Sequence, residues 1–513
     1  METKPLRKIL MQNRRKLSIL LEWAIACMFL DEVLGNILFF YLSGGATWQA
    51  ARFIVHWGVI GGVLLCTCGA FVLCRKPVHQ KLVASCWFAF VVVIYVAGLV
   101  VHPAHVPQIV KDGLVFLLTC SSFTAAAALL YWRVVSLDRV AEKAIWAGVL
   151  LQPFFLLADV TFWLRDTTEV NNLGTIGYLE MSYTALALLA VVVYYFGWGK
   201  VYDGRAAPVT KILALVEGAI AGATIVILGS RGALLALIVF GVAALTIAFA
   251  LKARLALFGL AAVVALAAGL SFVGMPETSV TKLRYEVAIE SLPLGPEEEP
   301  PPTEDFTEEL PDEEQELPAI DGPTKWLCEK TGINDELISI FYVYSEDNGG
   351  MKALALEMRN EVRGGEGYGE VLDEAVLDVT NRSAGRWYHW MLALYELQQH
   401  HGWGSAPYTY HVKYNAYAHN IWIEAFVEYG VLGGTLFLLL TLLVLVRAIQ
   451  EARKDGKNSY FLLFLAMAFT RLFISGNLYG DRWLCFLMAT GALSLYSLYK
   501  EKHPSCKKQE VLA

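Results

Sequence analysis

The sequence has few charged residues for its length, and this shortage narrows the kind of protein it can be. Asp, Glu, Lys and Arg make up 17% of the 513 residues, whereas about 25% is usual in a soluble globular domain. Hydrophobic residues make up 56%, and long stretches carry almost no charge. This composition excludes a soluble enzyme and a disordered protein, and it predicts an all-α polytopic membrane protein.

Paired cysteines and a basic surface are also lacking. The nine cysteines form no CxxC pair, and most lie in or beside apolar runs, where a thiol packs as a small hydrophobe. We therefore expect no disulfide framework and no zinc site. The net charge of −7 arises locally, because eleven acidic residues lie between 297 and 316. Nothing in this pattern predicts nucleic-acid binding.

Apolar runs long enough to cross about 30 Å of hydrocarbon predict twelve membrane spans. They lie at 17–42, 52–73, 83–101, 112–132, 144–164, 176–197, 211–230, 232–251, 255–275, 420–446, 459–478 and 483–499. Lys and Arg concentrate in alternate loops, which by the positive-inside rule places both termini in the cytoplasm. The map gives a cytoplasmic N-terminus (1–16), nine spans (17–275), a large extracytoplasmic loop (276–418), three spans (419–499) and a cytoplasmic tail (500–513).

The large loop divides into two parts of different composition. Residues 296–318 are rich in Pro and Glu and lack apolar side chains to bury, so they predict a disordered, self-repelling insert. After Gly322 the composition becomes globular. From Ser383 onward, apolar residues recur at helical spacing and predict an amphipathic helix through Trp387, Trp390 and Met391. The loop is therefore expected to be mostly helical.

Four short segments gather polar and glycine residues at the outward side of the predicted membrane region. In chain order they are Gly229-Ser230-Arg231-Gly232, Arg386-x-x-x-Trp390, Gly402-Trp-Gly404 and His419-Asn420 followed by Glu428-Tyr-Gly430. Together these segments resemble the O-antigen ligase and O-antigen polymerase superfamily of bacterial envelope glycosyltransferases. The resemblance covers the topology and roughly residues 210–250 and 380–445, and the first six spans carry no motif of the family.

The resemblance implies a glycosyltransferase type C-like membrane fold that uses a polyprenyl-diphosphate-linked oligosaccharide as donor. His419 would be the catalytic base, and Arg231 and Arg386 would hold the diphosphate. The supporting residues would be Ser230, Trp390, Asn420, Glu428 and Arg471. No metal or other cofactor is implied, and the anomeric centre would be inverted. The acceptor would be a glycan, lipid or protein, and the location the bacterial inner or plasma membrane, among membrane lipids.

The residue types suit this chemistry independently of the resemblance. A diphosphate leaving group gains negative charge in the transition state, so fixed cations beside it lower the barrier. Guanidinium is always protonated and matches phosphate oxygens with a planar fork of donors. An attacking hydroxyl needs a base that is neutral near pH 7, and imidazole is such a base.

Each candidate also has a structural interpretation. Arg231 can anchor its helix at the membrane interface, and Arg386 can pair with Asp373 or Asp378. Asn420 is placed to cap a helix N-terminus.

Two further groups of residues leave alternatives open. Arg471 either pairs with Glu428 across one span or serves as a third diphosphate-binding arginine. For His400, His401 and His411, the sequence favours a solvated loop surface over a metal site.

Two functions thus remain. The first is an outward-facing glycosyltransferase, either a ligase that moves a finished glycan or a polymerase that joins lipid-linked units. The second is a transporter or flippase of the same lipid-linked glycans. Transporters commonly show repeated halves with broken helices at the membrane midplane. The sequence shows no internal repeat and its candidate residues gather at one face, so the glycosyltransferase is favoured.

Overall fold

The computed structural model describes residues 3–30, 46–163, 178–251, 254–275, 282, 319–331, 333, 335–344, 384–414 and 416–503. Within these ranges the chain is helical and contains no strand, which confirms the predicted all-α class. The acidic insert predicted at 296–318 lies outside the described residues, as do Asp373 and Asp378.

In the described ranges, ten helices precede the large loop predicted at 276–418, which is called the outer loop below. They are α1 (Thr3–Met28), α2 (Ala46–Leu73), α3 (Val78–Ala84), α4 (Cys86–Val101), α5 (Val106–Tyr131), α6 (Leu137–Trp163), α7 (Tyr178–Gly197), α8 (Pro208–Ile227), α9 (Arg231–Ala250) and α10 (Arg254–Val273). Short 3₁₀ turns lie at Pro103–His105 and, later in the chain, at Gly456–Asn458.

Seven more helices follow in the described part of the chain. The outer loop supplies α11 (Gly322–Thr331), α12 (Asp335–Tyr344), α13 (Ala384–Gln399) and α14 (Thr409–Tyr414). The chain then forms α15 (Ile421–Lys454), α16 (Ser459–Ile474) and α17 (Arg482–Lys502).

Where the twelve predicted apolar runs fall within the described residues, they are mostly helical, and residues 31–42 of the first run lie outside those residues. Five helical segments are long and apolar enough to cross a membrane: Pro103–Tyr131, Pro208–Ile227, Gly232–Ala250, Ile421–Lys454 and Gly456–Ile474. A sixth is added if α3 and α4, which meet at a bend of 62°, form one span. These segments, counted over the described residues alone, indicate a membrane protein.

Ion pairs at one end of the helix bundle join loops that are distant in sequence. Arg133 pairs with Asp455 at 2.5 Å, and Lys457 pairs with Asp203 at 3.3 Å. The loops after α5, α7 and α15 therefore meet. The Lys and Arg pattern assigns these same loops to one face of the membrane, and the fold brings them together at one end.

The outer loop has an apolar core of its own. Helix α13 packs against α15, while α11 and α12 pack against α13. The buried side chains of this core include Cys328, Phe341, Tyr388, Leu392 and Tyr395. Because α13 contacts both the loop helices and α15, it connects the core of the outer loop to α15.

Arg447 forms a buried polar cluster between α15 and α17. Its guanidinium donates to Glu451 at 2.8 Å and, through Nε, to the Ser494 hydroxyl at 3.1 Å. Arg447 and Glu451 are each 6% exposed.

We expect Arg447→Met to lower the free energy of unfolding by about 3–5 kcal/mol, because it leaves the Glu451 carboxylate buried without its cation. Unfolding of the purified protein in a denaturing-detergent titration measures the loss. Arg453→Met, on the exposed surface of the same helix, is the matched control and should unfold like wild type. Equal unfolding of the two variants would contradict this account of the cluster.

Candidate functional site

The first candidate segment forms the sharp start of α9. Gly229 has a φ of 62°, and Ser230 then caps the helix by accepting the Ala233 N–H at 3.3 Å. Arg231 is the first residue of α9, and its side chain lies outside the described part of the structure. A Cβ on the next residue, Gly232, would lie 2.8 Å from the Tyr183 hydroxyl oxygen. The start of α9 therefore packs against Tyr183 of α7.

Arg386 lies in the first turn of α13 and is half-buried. Its guanidinium donates to the Ser475 hydroxyl at 3.2 Å, and the Ser475 N–H donates to the Arg471 carbonyl at 2.7 Å. Burial lowers the pKa of this guanidinium, although arginine remains protonated. No carboxylate among the described residues pairs with Arg386, so its positive charge is not neutralised within that part of the protein.

Arg471, in α16, lies beside Tyr183, the residue against which the start of α9 packs. Its guanidinium lies over the Tyr183 ring, 5.4 Å from the ring centroid. Its Nε lies 3.4 Å from the carboxylate of Asp481, which also caps α17 by accepting the Leu484 N–H. Of the two alternatives that the sequence left open for Arg471, the pairing with Glu428 is therefore wrong, because Asp481 takes that place. Asp481 lies in the turn between α16 and α17, only ten residues after Arg471, and it is therefore the nearer partner.

His419 lies just before α15 with a left-handed φ of 57°. Its ring centroid is 4.2 Å from that of Tyr417 and 5.3 Å from that of His389. Because His389 follows Arg386 by three residues on α13, the ring of His419 lies beside the helix that carries Arg386. The structure thus brings the predicted base close to one predicted diphosphate-binding arginine.

His389 belongs to this site although the sequence did not single it out. It is 4% exposed, and its Nδ1 lies 3.1 Å from the hydroxyl oxygen of Tyr410. Burial raises the pKa of Tyr410 well above its ordinary value, so the hydroxyl stays protonated and donates to the His389 carbonyl at 3.0 Å. The sequence does contain a signal for His389, because it follows Arg386 by three residues on the same predicted helix.

Asn420 caps α15, as its sequence context predicts. Its side-chain oxygen accepts the N–H groups of Trp422 and Ile423 at 3.0 and 3.1 Å. Two of the backbone donors left unpaired at a helix start are satisfied in this way. The cap fixes the point at which α15 begins, and it thereby fixes the position of His419 immediately before it.

The two glycine motifs contact each other directly. Helix α15 is interrupted at Gly430, whose φ of 70° and ψ of −178° belong to a region open almost only to glycine. At this kink the Val431 N–H donates to the Gly402 carbonyl at 2.9 Å. A Cβ on Gly404 would lie 2.6 Å from the Glu428 carbonyl oxygen. Gly402-Trp-Gly404 therefore lies against the backbone of the kink.

His411 of α14 lies between two buried carboxylates of α15. Its Nε2 is 3.4 Å from Glu424 Oε1, and its Nδ1 is 3.8 Å from Glu428 Oε1. The three residues are 7%, 0% and 2% exposed. The prediction of a solvated surface is therefore wrong for His411, whereas His401 is exposed. This cluster could not be identified from the sequence, because its members lie on two helices that come together only in the folded structure.

An apolar cavity of about 380 Å³ lies between α15, α16 and α17. Trp390 and Asn420 line it together with aromatic side chains of α15 and α16, including Trp422, Phe469 and Phe473. The ring of Trp390 is 5.8 Å from that of Phe473. Since Trp390 follows Arg386 by one helical turn, one part of the cavity wall lies close to the candidate cations.

Comparison of the chain with protein-family models, with curated proteins and with solved structures found no match.

We expect Gly430→Ala to lower the free energy of unfolding by about 1–3 kcal/mol, because an L side chain is strained at this φ and ψ. The Cβ would also meet the Gly402 and Trp403 carbonyl oxygens. Gly241→Ala is the control, since it lies within α9 with no atom near its added Cβ. Detergent unfolding of both variants tests this, and a Gly430→Ala protein as stable as the control would refute the kink as a requirement.

Proposed function

We propose that this protein is an extracytoplasmic membrane glycosyltransferase of the bacterial inner or plasma membrane. It would transfer or polymerise glycan from a polyprenyl-diphosphate-linked donor during cell-surface polysaccharide synthesis. The proposal includes twelve membrane spans, a glycosyltransferase type C-like fold and cytoplasmic termini. The observation that carries it is the packing of Arg471 and of the start of α9 against Tyr183. Arg386 donates to Ser475 at the end of the same α16 that carries Arg471, and the ring of His419 lies 5.3 Å from that of His389 on the helix of Arg386.

Arg386 is the side chain best suited to hold the donor diphosphate. It is half-buried, it donates to a neutral hydroxyl, and no described carboxylate neutralises it. An anionic diphosphate would supply the missing charge and receive charge-assisted hydrogen bonds. Arg231, from the first turn of α9, is proposed as the second cation. Arg471 already pairs with Asp481, so its role is to support Tyr183 and the anion site.

His419 is proposed as the general base. The acceptor hydroxyl attacks the anomeric carbon, a new glycosidic carbon–oxygen bond forms, and the bond to the diphosphate oxygen breaks. The hydroxyl proton passes to neutral His419, and the leaving diphosphate carries away the electron pair beside the arginines. Attack from the face opposite the leaving group inverts the anomeric centre.

The apolar cavity supports a lipid-linked donor over a soluble nucleotide sugar. Its wall is almost entirely apolar and aromatic, and it extends along membrane helices from Trp390 and Asn420. A polyprenyl chain in this cavity would place its diphosphate near Arg386, one turn before Trp390. The donor side is the same for a ligase and a polymerase, which differ in the acceptor.

We expect proteoliposomes holding the purified protein to convert a polyprenyl-diphosphate oligosaccharide without nucleotide or added metal. Arg386→Ala should reduce transfer about 100-fold or more through lost stabilisation of the leaving group. His419→Ala should reduce it about 100-fold or more through loss of the base. Gel separation of the glycan products measures both effects.

Matched controls are Arg453→Ala and His400→Ala, which change an exposed arginine of α15 and a histidine whose side chain is 41% exposed. Both should keep wild-type activity. A product ladder from wild type indicates a polymerase, and a single transfer that requires added acceptor indicates a ligase. Unchanged glycan that crosses the bilayer would instead establish a carrier, and equal loss in variants and controls would refute the assigned residues.

A further inference from the structure

The cluster of His411, Glu424 and Glu428 contains polar atoms that the rest of the described protein leaves unsatisfied. Oε1 of both glutamates and both ring nitrogens of His411 are buried and make no hydrogen bond within the described residues. Buried polar atoms in native proteins are almost always satisfied, and an orphaned group points to an ion or water. Here the orphaned atoms of three side chains face one another.

The protein holds both carboxylates in a fixed orientation. Oε2 of Glu424 accepts the Leu478 N–H at 3.1 Å. Oε2 of Glu428 accepts the Tyr408 N–H at 2.7 Å and the Tyr479 hydroxyl. These contacts leave the two Oε1 atoms directed at His411, as outer-shell hydrogen bonds direct the ligands of a metal.

The spacing and charge of the cluster match a metal ion. One ligand atom from each residue can be chosen so that all three lie within 4.8 Å of one another. Two ligands bound at about 2.0–2.1 Å in tetrahedral geometry stand about 3.4 Å apart, and His411 Nε2 to Glu424 Oε1 measures 3.4 Å. No Lys or Arg among the described residues pairs with either carboxylate, and a bound cation would allow both to be buried in their ionised form.

We propose that His411, Glu424 and Glu428 bind one divalent transition-metal ion, with Zn²⁺ or Mn²⁺ as the fitting class. An imidazole nitrogen with two carboxylate oxygens suits these ions, whereas Mg²⁺ and Ca²⁺ prefer oxygen ligands throughout. This revises the sequence-based expectation that the protein has no metal site. The ion ties α14 of the outer loop to the first turns of α15.

The site is separate from the proposed transfer chemistry. The ring of His411 lies 6.4 Å from that of Tyr417, which in turn lies 4.2 Å from that of His419. The metal would therefore hold the loop that carries Tyr417 and His419. No step of glycosyl transfer depends on it.

Metal loading tests the proposal. Purified protein is incubated with Zn²⁺ and separated from excess metal by gel filtration. Its zinc content per chain is then measured by elemental mass spectrometry. We expect about one Zn²⁺ per wild-type chain and at least a tenfold lower content in His411→Ala and in the near-isosteric Glu424→Gln. His400→Ala should bind like wild type. Wild type without metal, or variants loaded as fully as wild type, would overturn the site.

A spectroscopic measurement on wild type avoids any dependence on the folding of variants. X-ray absorption of the zinc-loaded protein should show nitrogen and oxygen ligands at about 2.0–2.2 Å and no sulfur. Sulfur ligation would place the ion at cysteines and refute the proposal. Metal content and glycosyl transfer are measured on one preparation, so an active protein without metal overturns this site alone, and an inactive one with metal overturns the proposed function alone.

Discussion

The backbone contact between Gly404 and Gly430 is the constraint on which the arrangement of the candidate site depends. At this point the loop after α13 lies against the kink in α15, too close for any Cβ on either residue. The contact sets the position of the chain on both sides of it. On one side the loop continues to His411, and on the other the first turns of α15 carry Glu424 and Glu428. The Asn420 cap then fixes His419 at the start of the same helix.

The residues around this contact separate into a basic and an acidic part. Arg471 lies over the Tyr183 ring and Arg386 donates to Ser475 at the end of the same helix, where we propose that an anion is held. Glu424 and Glu428 enclose His411, where a cation can be held. The ring of Tyr417 lies beside those of His411 and His419. The proposed base therefore neighbours the proposed metal cluster through Tyr417.

The sequence predicts those features that depend on neighbouring residues. Apolar runs indicate the helices, and the position of Asn420 before an apolar run indicates the cap. It does not predict the partner of Arg471, because Asp481 and Glu428 are equally plausible until the packing of α16 is known. The burial of His411 and the place of Tyr183 also depend on contacts between distant elements, which no local pattern encodes. The order of the motifs along the predicted spans assigns the candidate residues to one side of the membrane. The cluster of His411, Glu424 and Glu428 can be recognised only in the folded structure.

We propose that the cations near Tyr183 recognise the diphosphate of a lipid-linked donor. Native mass spectrometry of the detergent-purified protein, with polyprenyl diphosphate and the uncharged polyprenol of equal length in competition, tests it most directly. The account predicts that wild type retains the diphosphate preferentially and that Arg386→Ala loses this preference while still binding the apolar chain. Equal retention of the two lipids by wild type, or an undiminished preference in Arg386→Ala, would contradict it.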